Sequence, residues 1–309
     1  MKETILKKRF DNIMLSLATV MDQYGGENLS HAKHVAIIAT ALSEIVMPDK
    51  RDIVFYSSLL HDIGALVFGK HVLLNFPSKE KQKKDLDILN HPVVSAEIIS
   101  MICAIKDASD YVINHHECYD GSGYPKNLSG NNIPLGAQLI HIADLIDHYM
   151  YNEKNNFNNL HSQLSSWKGH EFKPDLLNAV LDLTNGKRQL LGKIYDKNNG
   201  NEIFSDVMKS VKPYWVDSKY FSQNLVRLIS YLFGRITDTK CWQVTQDHSV
   251  HVSFLSEKIA TTLGLPDLEI EKIKSAAFLQ GVWKIFLQND VLKKGHFTTS
   301  EKHILLPYL

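Results

Sequence analysis

The apolar residues of this chain recur at steps of three and four, the spacing that places side chains on one face of an α-helix. The first such segment runs from Ile5 to Met21 and ends at Gly25-Gly26. The sequence shows no sustained alternation with a two-residue period, which a half-buried strand would require. The pattern therefore predicts an all-α protein. Further helices are predicted over Val35–Val46, Ile53–Leu66, Val93–Ile105, Leu135–Met150 and Leu176–Leu183.

The charge balance excludes some partners. The 309 residues include 34 Lys and Arg against 34 Asp and Glu. Because these charges cancel, bulk electrostatics favours neither long nucleic acid nor an anionic membrane. The amino terminus lacks the pattern of a secretory signal, and no apolar run approaches the roughly 20 residues that span a bilayer. We therefore expect a cytoplasmic protein, in which Cys103, Cys118 and Cys241 are reduced and structural.

A weak internal repeat sets the predicted domain organisation. Residues 31–35 (HAKHV) resemble residues 248–252 (HSVHV), and residues 59–64 (LLHDIG) align with residues 278–283 (FLQGVW). A duplicated helical unit is the simplest account. The His-Asp pair of the first copy is Gln-Gly in the second, which therefore cannot repeat its chemistry. We predict a catalytic domain over 1–185, a linker over 186–215 and a smaller, degenerate helical domain over 216–309. The second copy packs against the first or forms a homodimer surface, and the sequence does not choose between them.

Histidine is the unusual residue type, because nine of the 15 fall between positions 31 and 148. Imidazole and carboxylate groups are ligands for Fe, Mn, Zn and Ni. Neighbouring side chains on a helix diverge by about 100°, so adjacent donors suit two metals better than one. The sequence therefore predicts a metal cluster, with His91 at the amino end of a helix because Pro92 follows it. The donors along this part of the chain are Glu27, His31, His61, Asp62, His91, His115, His116, Asp144 and Asp147.

The motifs resemble those of the bacterial HD-GYP phosphodiesterases, a branch of the HD metal-dependent phosphohydrolases. The most specific one is the eleven-residue string HHECYDGSGYP at 115–125. The others are the HxxHV of residues 31–35, HDIG at 61–64, His91-Pro92, residues 128–134, and Ala143-Asp144 with Asp147. The resemblance covers roughly residues 25 to 185. It implies an HD-superfamily helical bundle that hydrolyses a cyclic dinucleotide, usually cyclic di-GMP.

The same resemblance implies roles for individual residues. The metal ligands would be His31, His61, Asp62, His91, His115, His116 and Asp144. Asp62 would bridge two metals and, with His61, carry catalysis. Glu27 stands where some members hold a third metal, so the centre would be binuclear or trinuclear, with Fe or Mn. Gly123 and Tyr124 would lie at the substrate, and the loop that contains them is associated in the family with diguanylate-cyclase-type partner proteins. Further candidates for substrate contact are Asp147 and Lys154.

Several candidates also have ordinary explanations. Glu27 is typical of a helix start, and Asp147 of a salt bridge or a helix cap. His34, His71, His141 and His148 are expected to be ordinary polar side chains.

Departures from the family keep a second function open. The Lys expected after HDIG is Ala65, the Arg expected after Ala137 is Gln138, and an Arg-Pro-Tyr-Arg motif is replaced by residues 153–156 (EKNN). These changes imply altered base preference or lower affinity. They favour somewhat a slow or inactive cyclic-dinucleotide receptor that signals through its second domain. Tandem relatives that degrade 3′,3′-cyclic GMP-AMP also join an intact copy to a degenerate one. A general HD phosphohydrolase acting on another phosphate ester fits the Gly-Tyr-Pro string poorly.

Overall fold

The fold is helical, as the periodicity predicts. A computed structural model describes residues 2–25, 30–68, 85–153, 159–185, 188–196, 199–212, 218–240, 247–282 and 284. Within these segments, β-pairing is limited to one isolated bridge between Lys168 and Phe172. The all-α prediction is confirmed. None of the described helices is both long and apolar enough to cross a membrane.

The chain divides into two compact units, one of residues 1–65 and 70–216, the other of residues 66–69 and 217–309. The helices of the first unit are α1 (Lys2–Gly25), α2 (His31–Val46), α3 (Arg51–Leu59), α4 (Leu86–Ser100), α5 (Ser109–Ile113), α6 (Leu135–Asn152), α7 (Leu160–Trp167), α8 (Leu176–Asn185), α9 (Arg188–Ile194) and α10 (Asn199–Ser210). Those of the second unit are α11 (Ser218–Lys240), α12 (His248–Thr262) and α13 (Asp267–Leu279).

The stretch 186–215, predicted to be a linker, contains helices instead. This stretch contains α9 and α10, and both belong to the first unit. The two helices bury Leu191, Ile194, Phe204 and Met208. These apolar residues recur at helical steps, and their burial holds the stretch against the rest of the unit.

Helices α2 and α6 form the centre of the first unit. Helix α2 is buried along most of its length and packs against α3 and α6. Val35 and Leu42 of α2, with Ile140 and Ile146 of α6, are at most 1% exposed. Because close-packed apolar side chains fix the two helices relative to each other, polar residues on the same helices are held in fixed positions.

Two helix boundaries differ from the prediction. Helix α3 ends at Leu59, and a 3₁₀ segment over Ile63–Val67 follows a short turn. Helix α4 begins at Leu86, where the side chain of Asp85 accepts a hydrogen bond from the Asp87 N–H, so Pro92 lies inside the helix. The prediction that His91 stands at the amino end of a helix is therefore wrong. The cap at Asp85 moves the start of the helix about two turns earlier.

The same contact begins α2 in the first unit and α12 in the second. Asp22 accepts a hydrogen bond of 2.9 Å from the N–H of Ala32, the residue after His31. Asp238 accepts from the N–H of Ser249, the residue after His248, at 2.9 and 3.0 Å. A buried carboxylate thus satisfies one of the free N–H groups at each helix start. The two helix starts thus share one kind of capping contact.

Candidate metal centre

The predicted ligand residues converge from separate parts of the first unit. Helix α2 supplies one, the turn after α3 supplies two, α4 one, the turn after α5 two, and α6 one. In that order they are His31, His61, Asp62, His91, His115, His116 and Asp144. Glu27 lies outside the described residues. The structure therefore brings together the described members of the predicted set.

Asp62 stands between two groups of histidines. Its Oδ1 lies 3.1 Å from His91 Nε2 and 3.4 Å from His115 Nε2. Its Oδ2 lies 3.2 Å from His61 Nε2 and 3.9 Å from His31 Nε2. Each carboxylate oxygen thus faces a different pair of imidazoles, and this is the arrangement that a carboxylate bridging two cations requires.

The donor atoms form overlapping groups in which all atoms lie within 4.8 Å of one another. One group is Asp62, His91, His115 and His116; another is His31, His61 and Asp62. A third joins His31 and Asp144 to His148, whose Nε2 lies 3.3 Å from Asp144 Oδ1. The sequence analysis treated His148 as an ordinary side chain. Its spacing of four residues from Asp144 on α6, which places both on one helix face, is the signal that would have found it.

Three of the histidines are oriented by their own backbone. Their Nδ1 atoms lie 2.7 Å (His61), 2.6 Å (His91) and 2.5 Å (His115) from the carbonyl oxygen three residues earlier. Because a carbonyl only accepts, each Nδ1 carries the proton and each Nε2 keeps its lone pair. Hydrogen bonds of this kind fix the ring and the tautomer of a metal-ligating histidine.

The local sequence explains why these carbonyls are available. Ser58 and Val112 lie in the last turns of α3 and α5, where carbonyls lack the helical N–H four residues later. Ile88 lies inside α4, but the residue four positions later is Pro92, which has no N–H. The His-Pro dipeptide therefore frees the carbonyl that orients His91.

Buried donor atoms without hydrogen bonds test whether this site fits a metal. Among the described residues, the buried atoms that make no hydrogen bond include His31 Nε2, His61 Nε2, His115 Nε2, Asp62 Oδ1 and Asp144 Oδ1. A buried polar atom left in this state costs roughly 1–3 kcal/mol. The lone pairs of imidazole and carboxylate suit divalent transition metals. The residues present therefore fit a metal centre.

The electrostatics favour the metal-binding form of both carboxylates. Burial raises the pKa of Asp62, but the neighbouring His61, His115 and His91 more than reverse this and hold it well below 3.8. Burial likewise raises the pKa of Asp144, and His148 and His31 bring it down to about 2. Both carboxylates are therefore ionised at neutral pH.

His115 and His116 are neutral. Burial, together with the charges of neighbouring histidines, lowers the pKa of His115 and lowers that of His116 well below 6.5. Neutral imidazole is the form that binds a metal.

Asp147 lies behind this centre, with its side chain fully buried. Its Oδ2 accepts from His31 Nδ1 at 2.8 Å, and its Oδ1 accepts from His34 Nδ1 at 2.8 Å and from the Tyr195 hydroxyl at 2.9 Å. Burial lowers the pKa of His31, but the bond to Asp147 reverses this and raises it to about 10. This geometry favours the salt-bridge interpretation of Asp147 over the predicted substrate contact, because both oxygens are engaged.

His34 and Tyr195 are residues that the sequence analysis did not assign to the site. His34 follows His31 by one helical turn, which is a readable signal. Tyr195 comes from the stretch interpreted as a linker, far from every motif, and carries no local signal. Its ring also meets the His34 ring edge-on, with centroids 4.7 Å apart.

The Gly-Tyr-Pro loop is fixed against His116. The Tyr124 ring stacks on the His116 ring with centroids 4.8 Å apart and an interplanar angle of 29°. A Cβ at Gly123 would lie 2.2 Å from the Cys118 nitrogen and 2.4 Å from the His116 oxygen. Only glycine permits this approach of backbone to backbone. The loop therefore places Tyr124 beside a predicted ligand, whereas Lys154 lies outside the described residues.

The positions that depart from the family have structural roles. Ala65 is 1% exposed and provides no charge. The Gln138 amide donates to the Ile133 carbonyl at 3.2 Å and accepts from the Lys173 N–H at 3.1 Å. Gln138 thus joins the loop before α6 to the loop before α8. Of residues 153–156, only Glu153 is among the described residues.

Comparison with known proteins supports this interpretation. The HD domain family matches residues 22–164. A probable cyclic di-GMP phosphodiesterase of Vibrio cholerae is 30% identical over 187 residues, 54% of this chain and 42% of the relative. A 3′3′-cGAMP-specific phosphodiesterase of the same organism is 25% identical over 185 residues, 57% of this chain and 35% of the relative. The chain thus spans about two fifths of the length of these relatives.

A solved structure shows the same fold. A cyclic GMP-AMP specific phosphodiesterase of V. cholerae superimposes with a TM-score of 0.66 at 19% identity, covering 96% of this chain and 76% of that chain. The family match and the fold agree with the His and Asp cluster described above. Residues 22–164 are therefore similar to the HD domain family, a similarity that implies a divalent metal, and their fold is all-α.

Proposed function

We propose that this protein is a metal-dependent phosphodiesterase that opens a bacterial cyclic dinucleotide to a linear dinucleotide. The observation that carries the proposal is the position of Asp62, whose two oxygens face two separate groups of imidazoles. Paired cations are a recurring device for in-line displacement at phosphorus. The names of the relatives indicate cyclic di-GMP or 3′,3′-cyclic GMP-AMP as the substrate.

In this proposal the described ligands divide into two sets that share Asp62. His91, His115 and His116 would hold one cation, and His31, His61 and Asp144 the other. When bound, the metals supply Lewis-acid polarisation of the phosphodiester and acidify a water molecule to near-neutral pKa. His61 and Asp62 would carry catalysis as ligands, His61 of one cation and Asp62 of both. The Nδ1 hydrogen bonds keep the imidazoles in the ligating tautomer.

Tyr124 has a defined chemical role in the proposal. Burial raises the pKa of its hydroxyl well above 10, so the group stays protonated at neutral pH. A neutral hydroxyl at the edge of the site donates a hydrogen bond to a phosphate or base oxygen and does not act as a base. Stacked on His116, the ring also offers an apolar surface to a nucleobase. Gly123 allows the loop to approach closely enough for this contact.

The finer features of the proposal follow from the sequence. They are Fe or Mn as the metal, a third ion at Glu27, a phosphate contact from Lys154, a diguanylate-cyclase-type partner at the Gly-Tyr-Pro loop, a degenerate second domain that packs or dimerises, and a cytoplasmic location. The replacement of a family lysine by the buried Ala65 supports weaker phosphate binding than in typical members.

The experiment uses the full chain loaded anaerobically with Fe(II) or Mn(II). It is incubated with cyclic di-GMP, cyclic di-AMP and 3′,3′-cyclic GMP-AMP, and products are separated by chromatography. We expect a linear dinucleotide from at least one guanine-containing substrate and none from a His61→Ala, Asp62→Ala variant. The control is Asp52→Asn, which changes a half-exposed carboxylate on α3.

Tight binding without linear product would instead support the receptor, since the metal-filled site would then hold the ligand without turning it over. Neither binding nor turnover of any of the three would overturn the proposal.

A further inference from the structure

A second group of donor atoms lies apart from the predicted metal ligands. Cys118 follows the His-His pair by two residues, His141 projects from α6, and Glu171 belongs to the loop between α7 and α8. One donor atom from each lies within 4.8 Å of the others. The three side chains come from separate segments and meet at one point, although the sequence motifs assign none of them to a site.

The donors converge on a single oxygen. Glu171 Oε2 lies 3.2 Å from Cys118 Sγ and 3.2 Å from His141 Nε2. In a tetrahedral zinc site with bonds of about 2.0–2.3 Å, neighbouring ligand atoms are separated by roughly 3.3–3.8 Å. The observed distances are slightly shorter, so the three groups need to open by only a few tenths of an ångström to admit a cation.

Burial makes this group unusual. Cys118, His141 and Glu171 are 6%, 5% and 7% exposed, respectively. The Nδ1 of His141 is buried and makes no hydrogen bond. A thiol, an imidazole and a carboxylate are seldom buried together unless a charge or a cation compensates them. His141 is thus a strongly buried side chain whose Nε2 faces Glu171 and whose Nδ1 is unsatisfied.

Backbone hydrogen bonds already connect the two loops around this group. The Tyr119 N–H donates to the Glu171 carbonyl at 3.2 Å, and the Asp120 N–H donates to the His170 carbonyl at 3.1 Å. The two loops that supply Cys118 and Glu171 are therefore held side by side without a metal. A preformed frame of this kind lowers the entropy cost of gathering ligands around a cation.

We infer that Cys118, His141 and Glu171 form a zinc site that fastens the Gly-Tyr-Pro loop to α6 and to the loop before α8. The combination of thiolate, imidazole and carboxylate selects zinc over Mg²⁺ and Ca²⁺, which take oxygen ligands. Binding releases the protons of the thiol and the imidazole to solvent and leaves one of the four positions for a further ligand. The rings of His141 and His116 are 6.3 Å apart, so the site stiffens a neighbour of the candidate catalytic centre.

Cobalt tests the inference, because Co²⁺ replaces zinc and gives a near-ultraviolet thiolate-to-metal charge-transfer band only when sulfur is a ligand. The described ligands of the candidate catalytic centre are nitrogen and oxygen donors and give no such band. We expect the band in the full-length protein, its loss in Cys118→Ser, and its survival in a Cys103→Ser, Cys241→Ser double variant. It should also survive in Asp62→Asn, so the result is independent of any phosphodiesterase activity.

Zinc content gives a second measurement. By elemental analysis of dialysed protein, Glu171→Gln and Cys118→Ser should each lose about one zinc per chain relative to the wild type. The double variant retains Cys118 as its only thiol and keeps the band even if Cys118→Ser fails to fold. Absence of the band from the wild type, or its persistence in folded Cys118→Ser, would overturn the inference.

Discussion

The carbonyl of Ile88 accepts a hydrogen bond of 2.6 Å from Nδ1 of His91. In an uninterrupted helix that carbonyl would accept from the N–H of residue 92, which is proline here. The proline therefore has a chemical purpose besides its effect on the backbone: it leaves an acceptor for the imidazole. The same bond, to a carbonyl three residues earlier, fixes His61 and His115 without a proline, because both follow a helix end.

Pro92→Ala should weaken metal binding while leaving α4 intact. The new N–H at position 92 competes for the Ile88 carbonyl, so the His91 ring loses its orientation. Loss of such a supporting bond typically costs 10–100-fold in metal affinity. Mn²⁺ affinity measured by competition with a chelating dye checks this, with circular dichroism as the measure of helix content. Glu97→Ala, an exposed position on the same helix, is the matched control, and an unchanged affinity in Pro92→Ala would refute the explanation.

Asp62→Asn should abolish stabilisation by metal. The amide keeps the shape but has one oxygen instead of two, and its NH₂ group faces either His91 or His61 instead of a cation. A ligand at 100 times its Kd raises the free energy of unfolding by about 2.7 kcal/mol. We expect the wild type to show a rise in Tm on adding Mn²⁺ and Asp62→Asn to show little or none. If the variant responded to Mn²⁺ as the wild type does, Asp62 would not be a ligand; Asp52→Asn should respond normally.

Asp147→Asn should lower metal affinity through His31. The variant removes the charge that keeps His31 Nδ1 protonated, so the ring can present either nitrogen to the centre. We expect a 10–100-fold loss in Mn²⁺ affinity. If the protein is active, its activity at limiting metal should fall to a similar extent and should be restored by excess Mn²⁺. Tyr195→Phe removes one of the described bonds to Asp147 and should cost only about 1 kcal/mol in unfolding free energy. Loss of activity that saturating metal does not restore would point to substrate contact instead.

Gly123→Ala should displace the Gly-Tyr-Pro loop. Its Cβ would lie 2.2 Å from the Cys118 nitrogen, a backbone atom that can move only with the loop. We expect a loss of about 1–3 kcal/mol in unfolding free energy by urea denaturation. Gly192→Ala on α9 is the control, since a Cβ there meets nothing within 4 Å and should be neutral or stabilising by up to about 1 kcal/mol. Equal stability of the two variants would show that the close approach is unimportant.

Asp22 should make the stability of the metal-free protein depend on pH. Burial raises its pKa from 3.8 to about 6, so the protonated form is favoured in the folded state. Because the pKa of Asp22 is raised in the folded state, its contribution to the free energy of unfolding is complete below pH 3.8 and is lost as the pH rises through about 6. A rise of this size in the pKa corresponds to roughly 3 kcal/mol at most.

Asp22→Asn keeps an acceptor for the Ala32 N–H but does not titrate. Its unfolding free energy should equal that of the wild type near pH 4 and exceed it increasingly up to pH 7. Urea titrations at several pH values measure this difference. If the difference in unfolding free energy between the wild type and Asp22→Asn stayed constant with pH, the raised pKa would not belong to Asp22.

The meeting of the candidate ligand residues could be predicted from the sequence because each belongs to a local motif whose residue types suit a metal. The all-α fold followed from periodicity alone. Tyr195 could not be predicted, because its bond to Asp147 joins positions 48 residues apart with no motif at the distal end. The close approach of Cys118, His141 and Glu171 could not be predicted either, because it depends on how two loops and α6 pack. His148 was overlooked although its spacing from Asp144 was readable, because single histidines are usually ordinary side chains.

The bond from Tyr195 also determines how much chain a working fragment needs. A truncated polypeptide ending at residue 185, where the motifs end, would lack both α9 and the phenol that donates to Asp147. Asp147 would then keep His31 and His34 but lose the hydroxyl of Tyr195, and α2 would lose the packing of α10. A fragment that keeps the candidate metal centre intact should therefore end beyond Val211, even though no recognisable motif extends that far.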